Sequence, residues 1–300
     1  IISSIAYGST KIKGYLNSTD IDATINACRA IGADIKEYKD SLIIDGNDLQ
    51  RGYGENVDLS FGNSGTSMRL MMGVLSAQKF SSVLKGDESL TQRPMNRVAN
   101  PLLRMNADIK TSDGTPPVYI NPVSSIKCID HKLEIASAQI KSSIMLAGLY
   151  GDSVFKIITP QSRDHTEIML KEFGCNISID KDYIKMEPGK LVTPNHIEVP
   201  GDISSAAFYI VGSIISKDSQ IKIENVGLNP LRTGFIKVLQ MMGANIQLLN
   251  KRTINGELIG DIYTESSSLN GIKIPEELIA SSIDELPLIV LAASQANGKT

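Results

Sequence analysis

The chain has 300 residues, 42% of them hydrophobic and 5% aromatic with no Trp, enough apolar material for about two domains with buried cores. Lys and Arg number 30 against 33 Asp and Glu, a formal net charge of -3, which argues against a nucleic-acid binder because such proteins carry a clustered basic excess. Cys28, Cys128 and Cys175 are odd in number and far apart, so they are expected as buried thiols in a reducing compartment, not as a disulfide framework or zinc site; no apolar run reaches the roughly 20 residues of a membrane span.

Taken in chain order, the elements repeat. A-C-R-A-I-G-A-D-I (27–35) reads as the last turns of an amphipathic helix, a stop at Gly32 and the start of a strand. S-G-T-S-M-R-L-M-M-G-V-L-S-A (64–77) follows, apolar nearly all round and so expected to be buried. Next come a strand-like S-S-V-L-K-G (81–86) and a second stop in P-L-L-R-M-N-A-D-I (101–109), at Asn106. The same sequence of events returns with S-A-Q-I-K-S-S-I-M-L-A-G-L (137–149), S-V-F-K-I-I-T (153–159) and M-L-K-E-F-G-C-N-I (169–177), stopping at Gly174. It returns once more with D-I-S-S-A-A-F-Y-I-V-G-S-I-I (202–215), Q-I-K-I-E-N-V (220–226) and V-L-Q-M-M-G-A-N-I (238–246), stopping at Gly243, before a last apolar helix at 284–296. The stops lie about 70 residues apart. The pattern predicts a stacked α/β unit with one buried and one amphipathic helix and several strands. P-G-D (200–202) is the best internal boundary, giving a first domain over 1–199 and a second, incomplete one over 200–300.

Polar clusters open several of these helices, where free N–H groups and the positive dipole end favour anions. G-N-S-G-T-S-M-R (62–69) offers Asn63, two glycines for close backbone approach and Arg69 a turn later; G-D-E-S-L-T-Q-R-P-M-N-R (86–97) puts Arg93 before Pro94, which suits a first helical turn. Ser137 and Gln139 stand at the start of a buried helix, fit for a phosphate or polyol or simply for capping. Asp284 and Glu285 precede the last helix, as a cap or, in a cleft, a general base. S-R-D-H-T-E (162–167) brings Arg163 and His165 together; a Ser-His-Asp hydrolase is conceivable, but there is no G-x-S-x-G elbow. No His has metal-ligand spacing to another His or Cys, and no Walker A or G-x-G-x-x-G element occurs, so neither metal nor cofactor is expected.

Seven motifs in register resemble the enolpyruvylshikimate-phosphate synthase family over essentially the whole chain: G-N-S-G-T-S-M-R, S-L-T-Q-R-P-M-N-R-V-A-N-P-L, S-A-Q-I-K-S-S-I-M-L-A-G-L, R-D-H-T-E, P-G-D-I-S-S-A-A-F, N-P-L-R-T-G-F-I-K-V-L-Q-M-M-G-A and I-D-E-L-P-L. The S-A-Q-I-K-S, R-D-H-T-E and I-D-E-L-P forms look like the class II branch, which is often glyphosate-tolerant and often has Ala where Gly65 stands here. The resemblance implies a two-domain α/β enolpyruvyl transferase fold of βαβαββ units, an inside-out α/β barrel, with both substrates bound between the domains. It implies that Asn63, Gly65, Arg93 and Gln139 hold phosphoenolpyruvate, and that Ser137, Ala138 (by its backbone), Gln139, Ser162 and Arg163 hold shikimate 3-phosphate. Asp284 would bind the shikimate hydroxyls and act as base. A monomeric cytoplasmic enzyme is implied, with no nucleic-acid or membrane partner. The family's Lys-Ser…Arg motif would lie before Ile1 and its Glu-Thr/Ser-Asp-Arg motif after Thr300, so residues 1–300 alone are expected to show little or no turnover. A UDP-N-acetylglucosamine enolpyruvyl transferase is the nearest alternative, but its loop Cys has no counterpart between Cys28 and Cys128. A non-catalytic α/β fragment is the other.

Overall fold

The computed structural model describes residues 1–46, 56–180 and 183–300. The chain divides into two compact units, Ile1–Gln161 with Thr166–Ile197 and Ser162–His165 with Glu198–Thr300. The repeat is βαβαββ, present in full twice in the first unit. One copy runs Asn56–Ser60, helix Gly65–Leu75, Ser81–Lys85, helix Asn96–Arg104, Asp108–Ser112 and Thr115–Asn121. The next runs His131–Lys132, helix Ala138–Gly148, Phe155–Ile158, helix His165–Glu172, Ile177–Ile179 and Tyr183–Met186. In both sheets the strands lie in the order first, second, fourth, third. The first two are parallel, because a helix carries the chain back across the sheet, and the other neighbours are antiparallel. Gly8–Lys13, Ser41–Gly46 and Asp34–Tyr38 form a further antiparallel set around the helix Thr19–Ala30.

The second unit pairs Gln220–Gly227, Glu257–Glu265 and Ile246–Ile254 antiparallel, and a single parallel bridge, Gly201 to Val226, stands where the repeat's first strand would be. Helices Ile203–Ile215, Gly234–Met241 and Leu286–Ser294 pack beside that sheet.

Four of the helices end identically. Gly32, Asn106, Gly174 and Gly243 have φ of 103°, 70°, 82° and 101°, the left-handed region that Gly enters without cost and Asn tolerates. The N–H of each bonds back three residues, to Arg29, Leu103, Lys171 and Gln240, and the next N–H bonds back five, to Cys28, Leu102, Leu170 and Leu239. This is the Schellman arrangement, which satisfies the last carbonyls and turns the chain into the following strand.

Burial departs from expectation in the second unit. Gly65–Leu75 is buried except at Thr66 and Leu70, and Ala138–Gly148 is buried from Lys141 onward. The two touch backbone to backbone, since a β-carbon on Gly73 would lie 2.2 Å from the Ser143 carbonyl oxygen. Helices Ile203–Ile215 and Leu286–Ser294, equally apolar, instead leave Phe208, Tyr209 and Val290 at 66%, 71% and 68% exposure. They pack on each other along one side, and no further helix among the described residues of that unit covers the opposite face.

Inside the first unit, Lys141 Nζ lies 2.5 Å from Glu167 Oε1, with side chains 2% and 1% exposed, and Ser142 and Thr166 share a 2.6 Å hydroxyl bond beside it. Removing one partner of such a pair strands a buried charge, whereas two apolar replacements remove both desolvation costs. Glu167→Gln is therefore expected to cost about 3–5 kcal/mol in denaturant unfolding, with most of the loss recovered in the Lys141→Met/Glu167→Leu double variant. In the second unit, Asp261 accepts from the Asn250 amide at 2.8 Å, the Asn225 N–H at 3.1 Å and Lys222 at 3.0 Å, where both outer strands bulge. Those bonds hold its carboxyl down to about 2. The folded value lies below the unfolded one, so this stabilisation is complete above about pH 4 and is lost as pH falls towards 2. Asp261→Asn should lower Tm at pH 7, and the gap to the parent protein should close over that acid window.

Candidate active site

Each unit gathers one group of polar side chains. In the first, Ser64 caps helix Gly65–Leu75 by accepting from the Ser67 N–H, which fixes the preceding Asn63 at the helix mouth. Arg93 donates to Asn63 Oδ1 at 2.5 Å and Ser89 Oγ at 3.3 Å. The Asn63 amide donates in turn to the Asp87 carboxylate at 3.0 Å. Asp87 also accepts the Leu90 N–H at 2.8 Å; that bond first, then Asn63, keeps its carboxyl below the usual range.

Pro94 does not occupy a first helical turn. Arg93 closes the short 3-10 turn Leu90–Gln92, and the helix begins only at Asn96. Met95 is held out of it by donating its N–H to the Gly114 carbonyl at 2.7 Å.

Gly65 lies between two cations: a β-carbon there would be 3.3 Å from Arg69 Nη1 and 3.4 Å from Arg93 Nη1. Arg69, buried at 8% exposure, donates to Gln139 Oε1 at 2.9 Å and to the Pro94 carbonyl at 3.1 Å. Gln139 Nε2 donates to Thr66 Oγ1 at 2.9 Å. Ser137 caps helix Ala138–Gly148 by accepting from the Ile140 N–H, so Ala138 and Gln139 form its first turn. Asn63, Gly65, Arg93 and Gln139 thus belong to one connected group, with Ser137 and Ala138 adjoining it. Burial, then Arg97 and Arg93, lower the Arg69 pKa. Arg69 and Arg93 donate to neutral oxygens, and among the described residues neither forms an ion pair. Guanidinium donors near helix N-termini that are spent on neutral oxygens make a place for an anion.

In the second unit Arg163 donates to the Asp284 carboxylate, and the neighbouring Ser162 hydroxyl is shielded from solvent with no partner among the described residues. Asp284 is not a cap. It sits in the 3-10 stretch Ala280–Glu285, and helix Leu286–Ser294 starts without a capping side chain, Pro287 filling its first turn. Arg232, just before helix Gly234–Met241, lies 3.2 Å from Asp202, donates to Ser204 Oγ at 2.5 Å and stands 3.9 Å from Asp284. Ser204 in turn donates its hydroxyl hydrogen bond to the Glu285 carboxylate. Burial raises the Asp202 carboxyl, but Ser205, which it caps, and the Arg232 charge outweigh that and bring it below normal. Asn229 donates to Asp164 at 2.7 Å, and His165 lies 3.9 Å from Glu257, whose carboxyl burial and then Asp164 push up.

The sequence carries no local sign of the contacts that Arg232 makes with Ser204 and Asp202. Arg232 lay inside a recognised motif, N-P-L-R-T-G, but nothing local marks an arginine whose partners lie 28 to 52 positions away.

A family profile for EPSP synthase (3-phosphoshikimate 1-carboxyvinyltransferase) matches residues 1–300. The 3-phosphoshikimate 1-carboxyvinyltransferase of Petrotoga mobilis is 45% identical over all of this chain and 71% of its own length; that of Ruthia magnifica is 45% identical over all of this chain and 69% of its own. The EPSP synthase structure from Acinetobacter baumannii superposes with a TM-score of 0.90 at 43% identity, over 99% of this chain and 68% of that one. The enolpyruvyl transferase NikO from Streptomyces tendae, at 13% identity, shares the fold with a TM-score of 0.74 over 99% of this chain and 69% of its own. Carrying the enolpyruvyl transferase fold and these relatives over its whole length, the chain belongs to the EPSP synthase family.

Proposed function

We propose that this chain serves the transfer of the enolpyruvyl group of phosphoenolpyruvate onto the 5-hydroxyl of shikimate 3-phosphate with release of phosphate. The observation that carries the reading is the pair of guanidinium groups, Arg69 and Arg93, standing with Gln139 at two helix N-termini and bonded only to neutral oxygens. An anionic ligand offers those donors a charged acceptor in place of neutral ones. In this reading residues 1–199 and 200–300 are the two domains, and the chain works as a monomer.

Asn63, Gly65 and Arg93 take phosphoenolpyruvate, with Arg93 exchanging Asn63 and Ser89 for an anionic oxygen. Ser137, the Ala138 N–H and Gln139 take shikimate 3-phosphate, Gln139 also reaching phosphoenolpyruvate. Ser162 and Arg163 take the shikimate phosphate. Arg163 holds Asp284; an arriving phosphate competes for that guanidinium and leaves the carboxylate to the substrate hydroxyls. Asp284 then accepts the 5-hydroxyl proton as that oxygen bonds to the enol carbon, and the methylene carbon takes a proton from a general acid, to which it returns in the next step. The tetrahedral adduct loses that proton and phosphate together, re-forming the double bond.

Thermal unfolding with ligands tests the binding half directly. Shikimate 3-phosphate at a hundred times its Kd should add about 2.7 kcal/mol, read as a rise in Tm. Arg163→Gln, which deletes charge-assisted bonds worth about 1.5–3 kcal/mol, should weaken shikimate 3-phosphate about ten- to a hundredfold. Stabilisation by UDP-N-acetylglucosamine instead would hand the chain to the sugar-nucleotide branch, and folded protein indifferent to both ligands would end the proposal.

A further inference from the structure

Gln139 has an ambiguous side chain: its amide can face either way, and only one orientation presents donors to an anion. The residue that removes the ambiguity is Arg69. A guanidinium carries donors and no acceptor, so the Gln139 atom 2.9 Å from Arg69 Nη1 must be the carbonyl oxygen Oε1. The amide nitrogen is thereby turned to Thr66, to which it gives one N–H at 2.9 Å; its second N–H remains for a ligand oxygen. The other arm of the same guanidinium is bonded to the Pro94 carbonyl at 3.1 Å, next in the chain to Arg93. Arg69 is a poor candidate for direct contact, being 8% exposed with its Nε shielded and without a partner among the described residues. A cation buried in this way is costly unless its donors are used, and here they are spent on two neutral acceptors that belong to the anion-facing segments.

We propose that Arg69 is a positioning residue: it sets the amide orientation of Gln139 and the seat of Arg93, and affects substrate affinity through them. This rests on the proposed function, but it is a claim about geometry rather than about charge. Lysine would keep the charge, yet a single ammonium on a flexible stem cannot reproduce a planar fork that serves two fixed acceptors.

The experiment measures the Kd of shikimate 3-phosphate and, in its presence, of phosphoenolpyruvate, by calorimetric titration of the 300-residue chain. Variants are Arg69→Lys, Arg69→Met, Gln139→Leu and the Arg69→Met/Gln139→Leu pair, each with its ligand-free Tm. Arg69→Lys and Arg69→Met should both weaken binding about ten- to a hundredfold. The pair should be little weaker than Gln139→Leu alone, because a residue acting through Gln139 has nothing left to act on. Thr66→Val, at an exposed position where misfolding is not a concern, should weaken binding several-fold by loosening the same amide. Full affinity in Arg69→Lys would show that charge alone suffices and overturn the proposal. So would additive losses in the pair, or, should the Arg69→Met variants fail to fold, unchanged affinity in Thr66→Val. Failure of the parent chain to bind either ligand would instead strike the proposed function.

Discussion

The arrangement of the first unit depends on how closely helices Gly65–Leu75 and Ala138–Gly148 approach. Gly73 lies against the Ser143 carbonyl, where any β-carbon would overlap it at 2.2 Å. At the leading ends Thr66 and Arg69 both reach Gln139. The helices therefore run side by side in the same sense, and their positive dipole ends emerge together. Antiparallel packing, the usual outcome for helices joined by a short loop, would have separated them. The intervening strands and amphipathic helix of each βαβαββ unit return the chain to the same starting point, which makes the parallel pairing possible.

Charge is handled differently at depth and at the mouth. In the core, Lys141 and Glu167 neutralise one another within a 2.5 Å pair. At the mouth Arg69 and Arg93 form no ion pair among the described residues, while in the second unit Arg163 and Arg232 share Asp284, Asp202 and Ser204. A lone buried cation lowers stability, so its retention beside Gly65, where a methyl group would crowd both guanidinium groups, is best understood as a cost tolerated for binding.

Much of this could be read from the residues. The helix stops were legible because a left-handed turn admits few residue types, and Gly32, Asn106, Gly174 and Gly243 all adopt it. The cap at Ser137 was legible because a short polar side chain before an apolar run has few other uses. Asp284 looked equally like a cap and is not one, since Pro287 in that first turn has no N–H and so needs no capping acceptor. Burial of Ile203–Ile215 was overestimated because hydrophobicity says what a helix would bury, not what lies against it. The roles of Arg69 and Arg232 were hidden for another reason. Their partners lie far along the chain, 70 positions away for Gln139 and 28 for Ser204, and no local pattern encodes such a meeting.

The second unit is discontinuous in sequence, since Ser162–His165 is grouped with Glu198–Thr300. Arg163 and Asp284 are separated by 121 positions, and on a ribosome the arginine emerges long before the carboxylate exists. A nascent chain halted between residues 198 and 283 displays the guanidinium without that acid, at a stage when the first unit already has all its core residues. A gene split at the 197/198 boundary would likewise leave Ser162 and Arg163 on one polypeptide and Asp284 on the other, so a two-piece version of this protein must carry the four-residue segment across or rebuild it.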